Sequence, residues 1–111
     1  MSTNNDSETP APEITDPDKY KVIFENEKVR VLDHTDAPGE KTNLHKHPNF
    51  VLYALAPFKR RLHLADGNTL IREFKKGDVL WSEGQIHIGE NIGETYTHAL
   101  IVELKELNRT R

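Results

Sequence analysis

Residues 58–74 read FKRRLHLADGNTLIREF. Two short runs of alternating side chains flank Ala65-Asp66-Gly67-Asn68. An Asp-Gly pair between alternating runs is a strong hairpin signal, because glycine adopts the positive φ of a tight turn without steric cost. Upstream, residues 50–56 (FVLYALA) form a nearly unbroken apolar run of strand length. Before it, Tyr20, Val22 and Phe24 alternate, and Val29, Val31 and Leu32 follow an Asn26-Glu27 break. Downstream, Lys75-Lys76-Gly77-Asp78 makes a turn into Val79-Leu80-Trp81. A last strand covers residues 95–104 (TYTHALIVEL), rich in β-branched and aromatic residues.

No stretch keeps a helical period. The polar end, residues 105–111, is too short to be stable as a lone helix. Turn signals every 8 to 12 residues or so predict an all-β sandwich or barrel. A closed barrel would also remove most exposed strand edges.

The chain has 111 residues, no cysteine and six histidines. One domain is expected at that length. Disulfides, thiolate metal sites and cysteine nucleophiles are excluded. Mean hydropathy is −0.71, and no apolar run approaches the roughly 18 residues of a membrane helix. The net charge of −3 is uneven. Residues 1–18 carry five acidic and no basic residues, whereas residues 19–111 carry 15 basic and 13 acidic ones. The segment MSTNNDSETPAPEITDPD has too little apolar surface to offset its ordering entropy and lacks the features of a signal peptide. The expectation is a disordered acidic tail, 1–18, on a cytoplasmic domain, 19–111.

His45 and His47 lie two apart in TNLHKHPNF, so on a strand both imidazoles share one face and Lys46 faces away. Such a pair suits a borderline metal ion, and it also suits a solvated face. His87 follows the Gly77 turn in GDVLWSEGQIHIGENIG. The spacing is then Gly39-x5-His45-x-His47, followed by Gly77-x9-His87-x3-Asn91.

On these motifs the chain resembles the small single-domain cupins. Gly39, His45 and His47 match the first cupin motif, and Gly77, His87 and Asn91 match the second. The likeness spans residues 19–104. KYKVIFENEKVRVL, PGE, HKHP, GDVLW, HIGEN and VELK are further similar to short bacterial cupins, some named as β-alanine degradation proteins. The resemblance implies a double-stranded β-helix, or jelly-roll barrel, with a metal in its mouth, and a homodimer.

Three departures from the motifs stand out. The glutamate ligand of the first motif would fall at Val51 or Leu52. The second-motif histidine sits one residue closer to its glycine, with Glu83 at the proline position. The closing glycine of the first motif is replaced near Pro57. What remains is a three-histidine site, His45, His47 and His87, for one divalent ion among iron, zinc, nickel, copper and manganese. Three neutral imidazoles leave an open coordination position, the pattern of a catalytic rather than a structural metal. The implied function is a metal-dependent enzyme on a small polar metabolite, with a dioxygenase favoured. A metal-dependent isomerase or lyase, and a non-catalytic ligand-binding or regulatory module, are the alternatives. A degenerate cupin without metal also fits the fold.

Other residues carry weaker signals. Tyr53 shares the parity of His45 and His47 if no bulge intervenes, which makes it a candidate acid or hydrogen-bond donor. Asn91 is expected to orient a ligand or brace the structure. His34 is expected to be exposed near a turn. His63 and His98 read as ordinary strand histidines, Trp81 as a core or dimer residue, and Lys59-Arg60-Arg61 as a solvated edge. No phosphate loop, nucleophile elbow or aromatic-basic platform points to nucleic acid.

Overall fold

A computed structural model describes residues 8–105. After a one-turn helix α1 (Pro12–Thr15) come nine strands: β1 (Tyr20–Glu25), β2 (Val29–Asp36), β3 (His45–His47), β4 (Phe50–Ala54), β5 (Phe58–Leu64), β6 (Thr69–Phe74), β7 (Val79–Ser82), β8 (Gln85–Asn91) and β9 (Thr97–Leu104). They form two antiparallel sheets, in the orders β1-β2-β9-β4-β7 and β3-β8-β5-β6. The all-β jelly roll is the one expected, although among the described residues no continuous ladder closes the two sheets into one barrel. The 65–68 turn lies where the sequence predicts it, with Gly67 at φ 93° and Phe58 to His63 paired to Phe74 to Thr69.

Strand alternation sends one set of side chains between the sheets. Leu32, Ile101, Leu52 and Leu80 stand side by side across β2, β9, β4 and β7. Phe58 and Phe74 face them from the other sheet, with ring centroids 4.7 Å apart. This apolar half is small. The same interior also takes up His34, Asp36, His45, His47, Arg60, His87, Asn91, Thr97 and Glu103, all buried. Buried polar groups are stable only when hydrogen-bonded, so the second half of the interior is organised by polar pairing.

From Pro10 on, the segment read as a tail is docked on the sheets; residues 1–7 lie outside the described residues, as do 106–111. Pro10 O accepts the Lys46 N–H at 2.9 Å, so the chain covers the free edge of β3. Pro12 is buried at the first position of α1, where a missing N–H costs nothing. The buried Asp16 carboxylate accepts from Asn43 N at 3.0 Å and from Asn43 Nδ2 at 3.1 Å. Backbone bonds, the Asp16 carboxylate and the Glu13–Arg30 ion pair at 3.2 Å hold this segment, and composition reports none of these pairings. Among the described residues, no helix is long and apolar enough to cross a membrane.

Asp16→Ala removes the acceptor for two Asn43 donors. We expect it to lower stability by about 1–3 kcal/mol in urea unfolding. An unchanged midpoint would mean that the segment contributes nothing to the fold.

Candidate metal centre

His45 and His47 project from β3 to the interior, and Lys46 points away, as the alternation predicts. His87 on β8 is the direct cross-strand partner of His45. The three rings pack edge to face or tilted, with centroids 4.7, 4.9 and 5.1 Å apart. One nitrogen from each lies within 4.8 Å of the others.

Each ring is anchored through Nδ1. His45 Nδ1 donates to the Asn43 carbonyl at 2.9 Å, His47 Nδ1 to Glu103 Oε2 at 2.7 Å, and His87 Nδ1 to Gln85 Oε1 at 2.7 Å. A carbonyl or an ionised carboxylate oxygen only accepts, so with Glu103 ionised the proton sits on Nδ1 and the lone pair on Nε2. All three Nε2 atoms are thereby left for one point in space. His45 Nε2 is buried and has no hydrogen-bond partner among the described residues. An orphaned buried acceptor with a ring nitrogen of His47 and of His87 close by fits a bound cation.

Protonation does not compete at neutral pH. Burial pushes His45 and His47 down to about 3 and His87 to about 2. The neighbouring histidines and the Arg60 charge lower His87 further. The rings are neutral, as ligation requires.

Glu103 is the residue that motif reading missed. It lies 56 positions from His47 and is 1% exposed. Burial raises its carboxyl to about 7, and the Arg30 guanidinium, 3.9 Å away, opposes the rise. Its parity was a signal: Ala99, Ile101 and Glu103 share the buried face of β9. Leu52 lines the cavity where the first cupin motif has its glutamate, and Val51 is on the outer face. A carboxylate is therefore present at the site, but it holds a histidine from behind.

The cluster borders a cavity of about 50 Å³ between the sheets, lined by His47, His87, Tyr20, Arg60 and Arg72 among others. Tyr53 does not reach it. It is 43% exposed on the outer face of β4, because Pro48-Asn49 ends β3 and the chain changes sheets, which resets the parity. The tyrosine at the cluster is Tyr20, 5.4 Å from His45 by ring centroids, and burial raises its hydroxyl so that it stays a neutral phenol.

His34 is also corrected. Strand β2 runs on to Asp36, so His34 shares the inward face of Leu32, stacks on Tyr20 at 4.1 Å and meets Asp36 Oδ2 at 3.3 Å. Arg60 is buried, not part of a solvated edge. His63 pairs with Glu90 at 2.9 Å and His98 with Asp33 at 3.5 Å, both apart from the cluster. Asn91 does not touch the cluster's histidines: its amide donates to Thr95 O at 2.9 Å and accepts from Gly93 N at 3.0 Å.

No protein-family model and no curated protein matches the chain. Solved structures do. A cupin domain from Bordetella pertussis aligns with a TM-score of 0.71 at 24% identity, over 78% of this chain and 92% of that one. The chain has a cupin fold. An RmlC-like cupin with a double-stranded β-helix from Methanocaldococcus jannaschii aligns at 0.61 and 16% identity, over 77% of each chain. A protein with a double-stranded β-helix domain from Klebsiella pneumoniae aligns at 0.60 and 19%, over 94% of this chain and 89% of that one. In this chain the interior carries a histidine cluster that could hold a metal ion.

Removing a carboxylate behind a metal-bound histidine typically costs about 10–100-fold in metal affinity. Glu103→Ala is expected to weaken zinc binding by that factor in competition with a chelating dye, and Glu103→Gln, which keeps an acceptor, by less. Equal affinity in all three proteins would remove Glu103 from the site.

Proposed function

We propose that the protein binds one divalent metal ion on His45, His47 and His87 and acts on a small polar metabolite held in the adjoining cavity, in a dioxygenase-type reaction. The observation that carries this reading is the set of three Nδ1 anchors, which leaves three neutral Nε2 lone pairs converging beside a cavity lined by His47 and His87. Three protein ligands leave coordination positions for exogenous groups. When bound, a redox-active ion such as Fe(II) supplies dioxygen chemistry, and a redox-inert one supplies Lewis acidity. The chain's own contribution is orientation and exclusion of water. Tyr20, a buried neutral phenol on the cavity wall, is the hydrogen-bond donor in this proposal.

We further propose that the protein works as a homodimer. Support comes from an apolar row on the outer face of the five-stranded sheet: Phe24, Val31, Val102, Val51 and Trp81 stand in register across all five strands. Trp81 and Phe24 are each about half exposed there.

The Fe(II)-loaded protein should take up oxygen with at least one of a panel of small thiols and diketones, and His87→Ala should bring uptake down to background. No uptake across the panel rules out the dioxygenase reading. Turnover that persists with zinc and without oxygen reassigns the site to an isomerase or lyase.

A further inference from the structure

The cavity has a charge that the metal cluster does not explain. Arg60 and Arg72 both line it and stand directly opposite each other on β5 and β6. Like charges directly opposite on paired strands repel. Among the described residues, no Asp or Glu lines the cavity. Asp36 answers part of the charge from beside Arg60, whose Nη1 donates to Asp36 Oδ1 and Oδ2 at 2.9 and 2.8 Å and to Thr97 Oγ1 at 2.8 Å.

Two donors are left over. Arg60 is 5% exposed, and its Nη2 is buried with no hydrogen-bond partner among the described residues. Arg72 Nε is likewise buried and unpartnered. The place of Nη2 is set by Gly89, where an added Cβ would lie only 2.5 Å away. Gly89 lies between His87 and Asn91 on the inward face of β8. The guanidinium therefore fills the space of a side chain next to His87, on the same wall as the metal cluster. A purely structural Arg60–Asp36 pair would not need Nη2 turned away from every acceptor.

Size narrows the ligand. The cavity, about 50 Å³, suits a small molecule rather than a polymer. Phe58, Leu62, Phe74 and Leu80 make the remaining wall apolar. Two N–H donors on guanidinium groups match the two oxygens of a carboxylate. We propose that Arg60 and Arg72 form a subsite for the carboxylate of a small monocarboxylic acid, whose other end lies toward His47 and His87. This names the substrate class for the function proposed above and rests on that reading for the chemistry, although capture of the carboxylate does not itself require the ion.

The test is calorimetric titration of metal-stripped and zinc-loaded protein with propionate, with propionamide as the uncharged counterpart and inorganic phosphate as a second anion. Propionate should bind both forms, at least about tenfold more tightly than propionamide, the factor that 1.4 kcal/mol represents. Arg72→Gln should weaken propionate by a similar factor and leave zinc affinity unchanged. Arg72 is the informative position, because removing Arg60 strands the buried Asp36 carboxylate and can unfold the protein. Equal binding of propionate and propionamide, preference for phosphate, or propionate binding that needs zinc and ignores Arg72→Gln overturns the subsite. Zinc uptake without propionate binding overturns this subsite alone. Propionate binding by a protein that takes up no zinc supports the subsite and removes the metal reading.

Discussion

Everything at the centre of this molecule depends on three hydrogen bonds made by imidazole Nδ1 atoms. Each fixes a tautomer and a ring plane, and together they point three lone pairs inward. Their acceptors differ in kind: a loop carbonyl, a strand carboxylate and a strand amide. They also differ in origin, since Asn43 and Gln85 are local to their histidines whereas Glu103 comes from the opposite sheet. The His47–Glu103 bond thus joins the two layers at the cluster.

The price of this arrangement is an interior that is half polar. Leu32, Leu52, Ile101, Phe58 and Phe74 form a compact apolar patch, but the space beyond it is filled by Asp36, Arg60, Asn91 and Thr97 in one bonded network. Such networks confer little net stability compared with an apolar core, and they hold only when nearly every member is satisfied. Among the described residues six buried side-chain atoms lack a partner: Arg60 Nη2 and Arg72 Nε belong to residues that line the cavity, His45 Nε2 lies in the histidine cluster, and Glu13 Oε1, Arg30 Nε and Glu103 Oε1 lie elsewhere.

How much of this the sequence discloses follows from the range of each rule. Strand alternation is local, so the shared face of His45 and His47 and the hairpin at Gly67 are legible. His87 is reachable only through motif spacing, because no local rule places β8 beside β3. Tyr53 fails because parity does not survive Pro48-Asn49, where the chain leaves one sheet for the other. His34 and Glu103 sit at buried parity on long strands, a signal that is present in the sequence but says nothing of a partner. Gly89 is legible as a glycine, and its role as the space for the Arg60 guanidinium is not. The docking of residues 10–16 depends on backbone hydrogen bonds and on the particular partners of Glu13 and Asp16, to which composition is blind.

The central claim is that the cluster is a metal site. Its most direct test is elemental analysis of the protein purified from its native source, alongside His87→Ala. The account predicts about one divalent ion per chain in the wild type and substoichiometric metal in the variant. Wild-type protein that is folded and free of stoichiometric metal would contradict it.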